Sequence, residues 1–295
     1  MLLKFALSFV ITFSLLAKVA VSFAQVANPF KPDSLVKHSW DDYHLVWNDE
    51  FDYDGAPSAS SWGYELGFVR NNELQWYQPN NARCSKGLLT IEAKREFFAN
   101  PGFDSSSSDW RKCRKMVDIS SASIKTAGHR EFTYGRFAIR ARIDTSMGAW
   151  PAIWTLGRDM EWPSCGEVDL LEYYLVNGAP SVLANVASGT SKRWNAKWNS
   201  KVIPLSSFSA KDREWASKFH VWRMDWTPDY IKLYIDDELV NTTFLKDTVN
   251  PDGSQPFSQP HYILLNLAIG ANGGNPDLSK LPIRFEVDYV RVYQR

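Results

Sequence analysis

The chain has 295 residues, enough for a sizeable core in one large domain or two small ones. Lys plus Arg total 33 and Asp plus Glu total 33, so no basic excess points to nucleic acid or an anionic membrane; 22% charged and 44% hydrophobic residues exclude a largely disordered chain. The departure is in the aromatics, 13 Trp, 12 Tyr and 17 Phe, a composition suited to flat-faced ligands, of which sugars are the commonest neutral kind.

The first element in chain order is an export signal. Met1 to Ala24 has a short start with Lys4, an apolar run from Phe5 to Ala17, and small residues Ser22 and Ala24 around Phe23, the pattern of a secretory signal peptide cut after Ala24. Lys18 interrupts the run, which is short for a membrane span, and no Cys lies near the cut for a lipid anchor. Removing Lys4 and Lys18 leaves 31 basic and 33 acidic residues, a net charge of −2. No later segment is apolar enough to cross a bilayer. A periplasmic, extracellular or cell-surface protein is expected. Residues 25–40 form a polar lead-in with Pro29 and Pro32, and 41–295 a single domain.

From Asp41 the chain is a succession of short runs with period-two alternation, broken by Gly, Pro, Asn and Asp. Gly87 to Ala93 is one. In Tyr134 to Ile143, Phe137, Ile139, Ala141 and Ile143 share one face and Arg136, Arg140 and Arg142 the other. Phe219 to Trp226, Ile231 to Ile235, Tyr262 to Ala268 and Phe285 to Tyr293 follow, with one or two helical turns allowed within Ser209 to Lys218. Many short strands without intervening helices predict an all-β antiparallel sandwich or barrel. Cys84, Cys113 and Cys165 are odd in number, so at most one intramolecular disulfide forms; their spacing matches no zinc pattern, and buried or singly paired structural cysteines are expected.

The chemistry concentrates in Glu167-Val168-Asp169-Leu170-Leu171-Glu172. Glu167 and Asp169 share a strand face, and one β-bulge at Leu170-Leu171 brings Glu172 onto that face as well. Three crowded carboxylates push at least one pKa upward. A neutral acid beside an ionised carboxylate is what glycoside hydrolysis uses, with the two carboxyl groups about 5–5.5 Å apart in a retaining enzyme. A straight strand would separate residues five apart by roughly 16 Å between Cα atoms, so bulge and curvature must close the gap. A solvated acidic face is the other reading of the triplet alone.

This stretch resembles the bulged signature of glycoside hydrolase family 16. Trp47-Asn48-Asp49-Glu50-Phe51, Asn71-Asn72-Glu73-Leu74-Gln75-Trp76-Tyr77, Tyr134 to Phe137, Trp150 to Gly157 and Val287 to Tyr293 carry the resemblance through nearly all of the chain after the lead-in. It implies a jelly-roll sandwich of two curved antiparallel sheets with an open cleft on the concave face. It also implies Glu167 as nucleophile, Glu172 as general acid/base and Asp169 as the supporting carboxylate, with no cofactor required. Trp154 and Trp162 are implied beside the cleft. Trp150 shares a strand face with Trp154, with a core position as the alternative. Arg70, Asn72 and Glu73 resemble positions that bind sugar hydroxyls. Asn266, polar within Ile263 to Ala268, needs a buried partner or a ligand. A structural calcium through Glu50, the Gly87 carbonyl and Asp288 is a further implication.

Arg136, Arg140 and Arg142 form a one-sided basic stripe, expected to be paired within the structure rather than to hold a sulfated polysaccharide. Two departures leave the linkage open: Ser123 stands where laminarinase-like members often have Arg, and Val182 to Ser188 lacks the His often found after the acids. Trp194 and Trp198 offer a further aromatic wall. The expectation is an exported, monomeric, retaining endo-β-glycanase acting on β-1,3- or mixed-linkage β-1,3/1,4-glucan. An endo-β-galactosidase for mucin-type, keratan or algal galactans is the alternative. A carbohydrate-binding module without turnover and a transglycosylase are the remaining rivals.

Overall fold

The computed structural model describes residues 42–295; the expected signal peptide and lead-in lie outside the described residues. Two sheets face each other. The strands of the inner, seven-stranded sheet, numbered in chain order, are β1 (Gly63–Tyr64), β2 (Ser123–Lys125), β3 (Ala149–Gly157), β4 (Glu167–Val176), β5 (Ala179–Gly189), β6 (Ala196–Pro204) and β7 (His261–Ile269). They lie side by side as β6-β5-β4-β3-β7-β2-β1, with antiparallel neighbours throughout. The outer sheet has ten strands; at its centre Gly135–Arg142 lies between His220–Trp226 and Ile283–Gln294. One short pairing, Gln75–Tyr77 with Met116–Ser121, is parallel. This is the all-β sandwich that the alternation predicts, in the jelly-roll form that the family resemblance implies.

Alternation decides what each strand buries. Val168, Leu171 and Tyr173 of β4 face the core, as do Val182, Ala184 and Val186 of β5 and Ile263, Leu265 and Leu267 of β7. Phe137, Ile139, Trp222, Met224, Phe285 and Val287 meet them from the outer sheet. A separate apolar group of Ala152, Trp154 and Leu264, with Leu156 and Tyr262 against it, lies apart from that core, the other member of the alternation along β3 and β7. The predicted strands exist: His261–Ile269 and Ile283–Gln294 run one or two residues longer at each end and Leu88–Ala99 six residues further, whereas Gly135–Arg142 and His220–Trp226 are slightly shorter than predicted. Predicted helix at Ser209 to Lys218 resolves into Leu205–Ser209 and a single turn at Trp215–Ser217; the turn at Trp110–Cys113 is not foreseen.

The arginine stripe faces away from the core and is paired. Arg136 donates to Asp225 (2.5 Å), Arg140 to Asp288 (2.6 Å) and Arg142 to Glu286, while Arg140 and Arg142 cover Phe219. The expected calcium does not fit the residues as they stand. Both oxygens of Glu50 accept from Arg291 at 2.8 Å, and Asp288 belongs to Arg140, so two guanidinium groups stand where a cation would need carboxylates. Among the described residues no cluster of three His, Cys, Asp or Glu is arranged for a metal. Cys84, Cys113 and Cys165 are all free, and burial pushes the Cys165 thiol up to about 12. Among the described residues no helix is long and apolar enough to cross a membrane.

Candidate active site

The acids come first, because the bulge decides their placement. Asp169 pairs with Asn185 on β5, and the next paired residue is Glu172 with Leu183: the register slips by one residue between them, as it does against β3. Leu170 and Leu171 both enter the core, and Glu172 returns to the face of Glu167 and Asp169. Gly166 sets the strand's start. Its φ of +78° is left-handed, and a Cβ there would lie 2.9 Å from both Pro256 and Phe257.

Hydrogen bonds then distinguish the three acids. Asp169 is 1% exposed, whereas Glu167 and Glu172 are half-buried at the cleft wall. The Trp162 indole donates to Glu167 at 2.6 Å and the Trp150 indole to Glu172 at 3.0 Å. The Asn185 amide donates to Asp169 (3.2 Å) and to Glu172 (3.0 Å). Asp169 is hydrogen-bonded to both glutamates. Burial, then the negative charge of Glu172 and Glu167, raises the Asp169 pKa well above the usual carboxylate range, so it keeps its proton, a single O–H that it gives to Glu167. Burial, then the charge of Glu167, raises Glu172 to about 7. Burial also raises Glu167, while donation from Trp162 and Asp169 and the positive charge of Arg70 favour its ionised form.

These groups line a cleft of about 660 Å³. Trp150, Trp154, Trp162, Arg70, Glu73 and Asn266 all reach it, as the sequence predicts. Asn72 does not. It is exposed, its backbone carbonyl accepts from Arg114 at 2.9 Å, and its neighbour Asn71 lines the cleft instead. Two consecutive left-handed residues, Asn71 (φ 56°) and Asn72 (φ 54°), turn the chain so that an exchange of one position changes which amide faces the ligand.

On one side of the acids, Arg70 lies over the Trp154 ring at 5.0 Å and is ion-paired with Glu65, which also accepts from Ser123 at 2.7 Å. Asn266, 4% exposed, accepts from the Trp154 indole (2.7 Å) and donates to the Tyr77 hydroxyl (3.2 Å). Its buried partners are therefore Trp154 and Tyr77, and it also touches the cleft. Glu73 is held by Gln75 at 2.7 Å and Asn71 at 3.2 Å, and burial raises its pKa. On the other side, Trp198 and Ser200 of the edge strand β6 line the cleft, and Trp194 stacks on Trp162 with centroids 6.5 Å apart. Asn185, Tyr174 and Asn272 also line the cleft, and sequence reasoning missed all three. Asn185 carried the signal that marks Asn266, an amide inside an apolar strand run.

Comparison with known proteins agrees with this arrangement. The sequence profile of Glycosyl hydrolases family 16 matches residues 71–291. The chain is 33% identical over 268 residues to a β-glucanase of Rhodothermus marinus, covering 85% of each. It is 29% identical to a keratan-sulfate endo-1,4-β-galactosidase of Sphingobacterium multivorum, covering 86% of this chain and 56% of that one. A solved structure from work on endo-acting O-glycanases of human gut microbiota that initiate mucin breakdown superposes with a TM-score of 0.76 at 33% identity, covering 85% of this chain and 91% of that one. With its jelly roll, its bulged acid strand and a profile match over most of its length, the chain belongs to glycoside hydrolase family 16.

Proposed function

We propose that the protein is an exported endo-β-glycanase that cuts β-1,3- or mixed-linkage β-1,3/1,4-glucan with retention, by double displacement. The observation that carries this reading is the placement of the acids: the bulge brings Glu167, Asp169 and Glu172 to one face of β4, with Trp162 donating to Glu167, Trp150 and Asn185 donating to Glu172, and burial raising Glu172 to about 7. Glu167 attacks the anomeric carbon while Glu172 gives its proton to the departing oxygen, leaving a glycosyl ester on Glu167. Glu172, now a carboxylate, takes a proton from the incoming water, which opens the ester and restores both groups. Asp169 lends its hydrogen bond to Glu167 before attack, and Arg70 adds a positive field on that carboxylate. Trp154 and Trp162 offer rigid faces to pyranose rings beside the acids.

A second reading, endo-β-galactosidase, draws on a specific observation. Ser123 is small and is engaged by Glu65, so the position where laminarinase-like members often have Arg carries no bulky cation here. The keratan-sulfate and O-glycanase relatives are consistent with that reading. Incubation with laminarin, lichenan, desulfated keratan and mucin O-glycans separates the two: oligosaccharides from a glucan support the first, and from a galactan alone the second. The Glu167→Ala variant is expected to yield none from either.

A further inference from the structure

Asn185 sits at the centre of β5 and is 3% exposed, yet it borders the cleft. Both of its amide hydrogens are committed, one to Asp169 and one to Glu172. Exchanging its oxygen and nitrogen would set the oxygen against two acidic groups, so the orientation is fixed by its neighbours. Its side-chain oxygen then has no hydrogen-bond partner among the described residues, although it is buried. An acceptor left in that state has given up its water without compensation unless a donor arrives.

The register says where the donor comes from. Asn185 pairs with Asp169 on one side and with Ser200 of β6 on the other. It therefore lies across the acids from Arg70 and Trp154, on the side closed by Ser200 and Trp198, the latter 45% exposed. A sugar laid along the cleft and over the acids has one ring on each side of them. The ring over β5 and β6 presents hydroxyl groups to an oxygen that can only accept.

We propose that Asn185 is a specificity-determining residue, whose amide ties Asp169 to Glu172 while its oxygen accepts a hydrogen from a free hydroxyl of the sugar ring bound over β5 and β6. The inference rests on the glycanase reading above and names a contact within that same site. A ring carrying a sulfate or ether at that hydroxyl has no hydrogen to give, so Asn185 selects against substitution there.

The test compares two kinds of substrate. Laminarihexaose, a mixed-linkage glucan hexasaccharide and a desulfated keratan hexasaccharide place a sugar over β5 and β6. The p-nitrophenyl β-glycosides of laminaribiose and of N-acetylglucosaminyl-β-1,3-galactose place an aromatic leaving group there, with no sugar hydroxyl. Asn185→Ala is expected to lower kcat/KM on the cleaved hexasaccharide roughly tenfold more than on its aryl partner. An equal loss on both, or none, overturns the proposal.

Asn185→Asp keeps the oxygen and is a check against misfolding. It is expected to hold the hexasaccharide-to-aryl ratio within about twofold of the wild type. Its basic pH limb is expected to move upward, because a fourth carboxyl joins those of Glu167, Asp169 and Glu172 beside the Tyr174 hydroxyl, while β3 faces Glu172 with the uncharged Trp150. A collapsed ratio in this variant also counts against the contact. If the wild type turns over none of these sugars, the glycanase reading fails, and calorimetry decides for Asn185. Glu167→Ala with Asn185→Ala should bind the hexasaccharides about tenfold more weakly than Glu167→Ala alone. Equal binding, or no binding by either, overturns the proposal.

Discussion

Three carboxyl groups within six residues differ because their partners differ. Glu172 receives hydrogen bonds from Trp150 and Asn185, which favour its charged form, yet burial and Glu167 outweigh them and hold it at about 7. In the proposed mechanism Glu172 is the proton donor and must be protonated, so kcat/KM should fall as pH rises through about 7. Trp150→Phe removes one group that favours the charged form, and the basic limb of the pH–rate profile should move to higher pH; a limb that moves down contradicts this assignment. Glu172→Ala should cost most on natural glycans and least on activated aryl glycosides, as a ratio of kcat/KM values will show. Asp169 carries the stability counterpart. Its folded-state pKa lies above its unfolded value, so the folded state holds more protons between the two; that stability is full at low pH and is lost as pH rises through the window. Melting temperature plotted against pH should therefore fall less steeply for Asp169→Asn than for the wild type as pH rises above the unfolded Asp value.

At the scale of the element, the bulge is the device on which the site depends. It sends two consecutive leucines into the core and brings Glu172 round to the cleft. Deleting Leu170 should give an unbulged strand on which the second glutamate, now four residues from Glu167, keeps the cleft face, so product assays should show part of the turnover retained, and a complete loss would contradict this. Gly166→Ala should lower the unfolding free energy by about 1–3 kcal/mol, read by denaturant titration, because the left-handed backbone and the Pro256–Phe257 wall both oppose a Cβ. Much of this was legible in the sequence. Period-two alternation marks the core and outward faces of Gly135–Arg142, and the five-residue spacing of Glu167 and Glu172 already demands a bulge. What was not legible depends on neighbours brought in from afar. Asn71 rather than Asn72 faces the cleft through backbone handedness, and Arg140 and Arg291 occupy the carboxylates assigned to calcium through pairing across strands. Asn185 gains meaning only when β5 is laid beside β4.

For the whole molecule, the two sheets divide the work. The outer sheet pairs the arginines of its central strand, Arg136, Arg140 and Arg142, with acids and lays Arg291 over Tyr289. The inner sheet carries the cleft, with aromatic side chains on both flanks of the acids and the β6 edge leading away from them. A cleft of this kind fits attack within a chain and a ladder of products. The most direct test is to incubate the protein without residues 1–24 with laminarin, lichenan, barley β-glucan, desulfated keratan and mucin O-glycans, sizing products by mass spectrometry beside Glu167→Ala. The account predicts a series of oligosaccharides from a β-glucan, retained anomeric configuration at the new reducing end, and silence from the variant. Products that persist in Glu167→Ala, or inverted configuration, would contradict it.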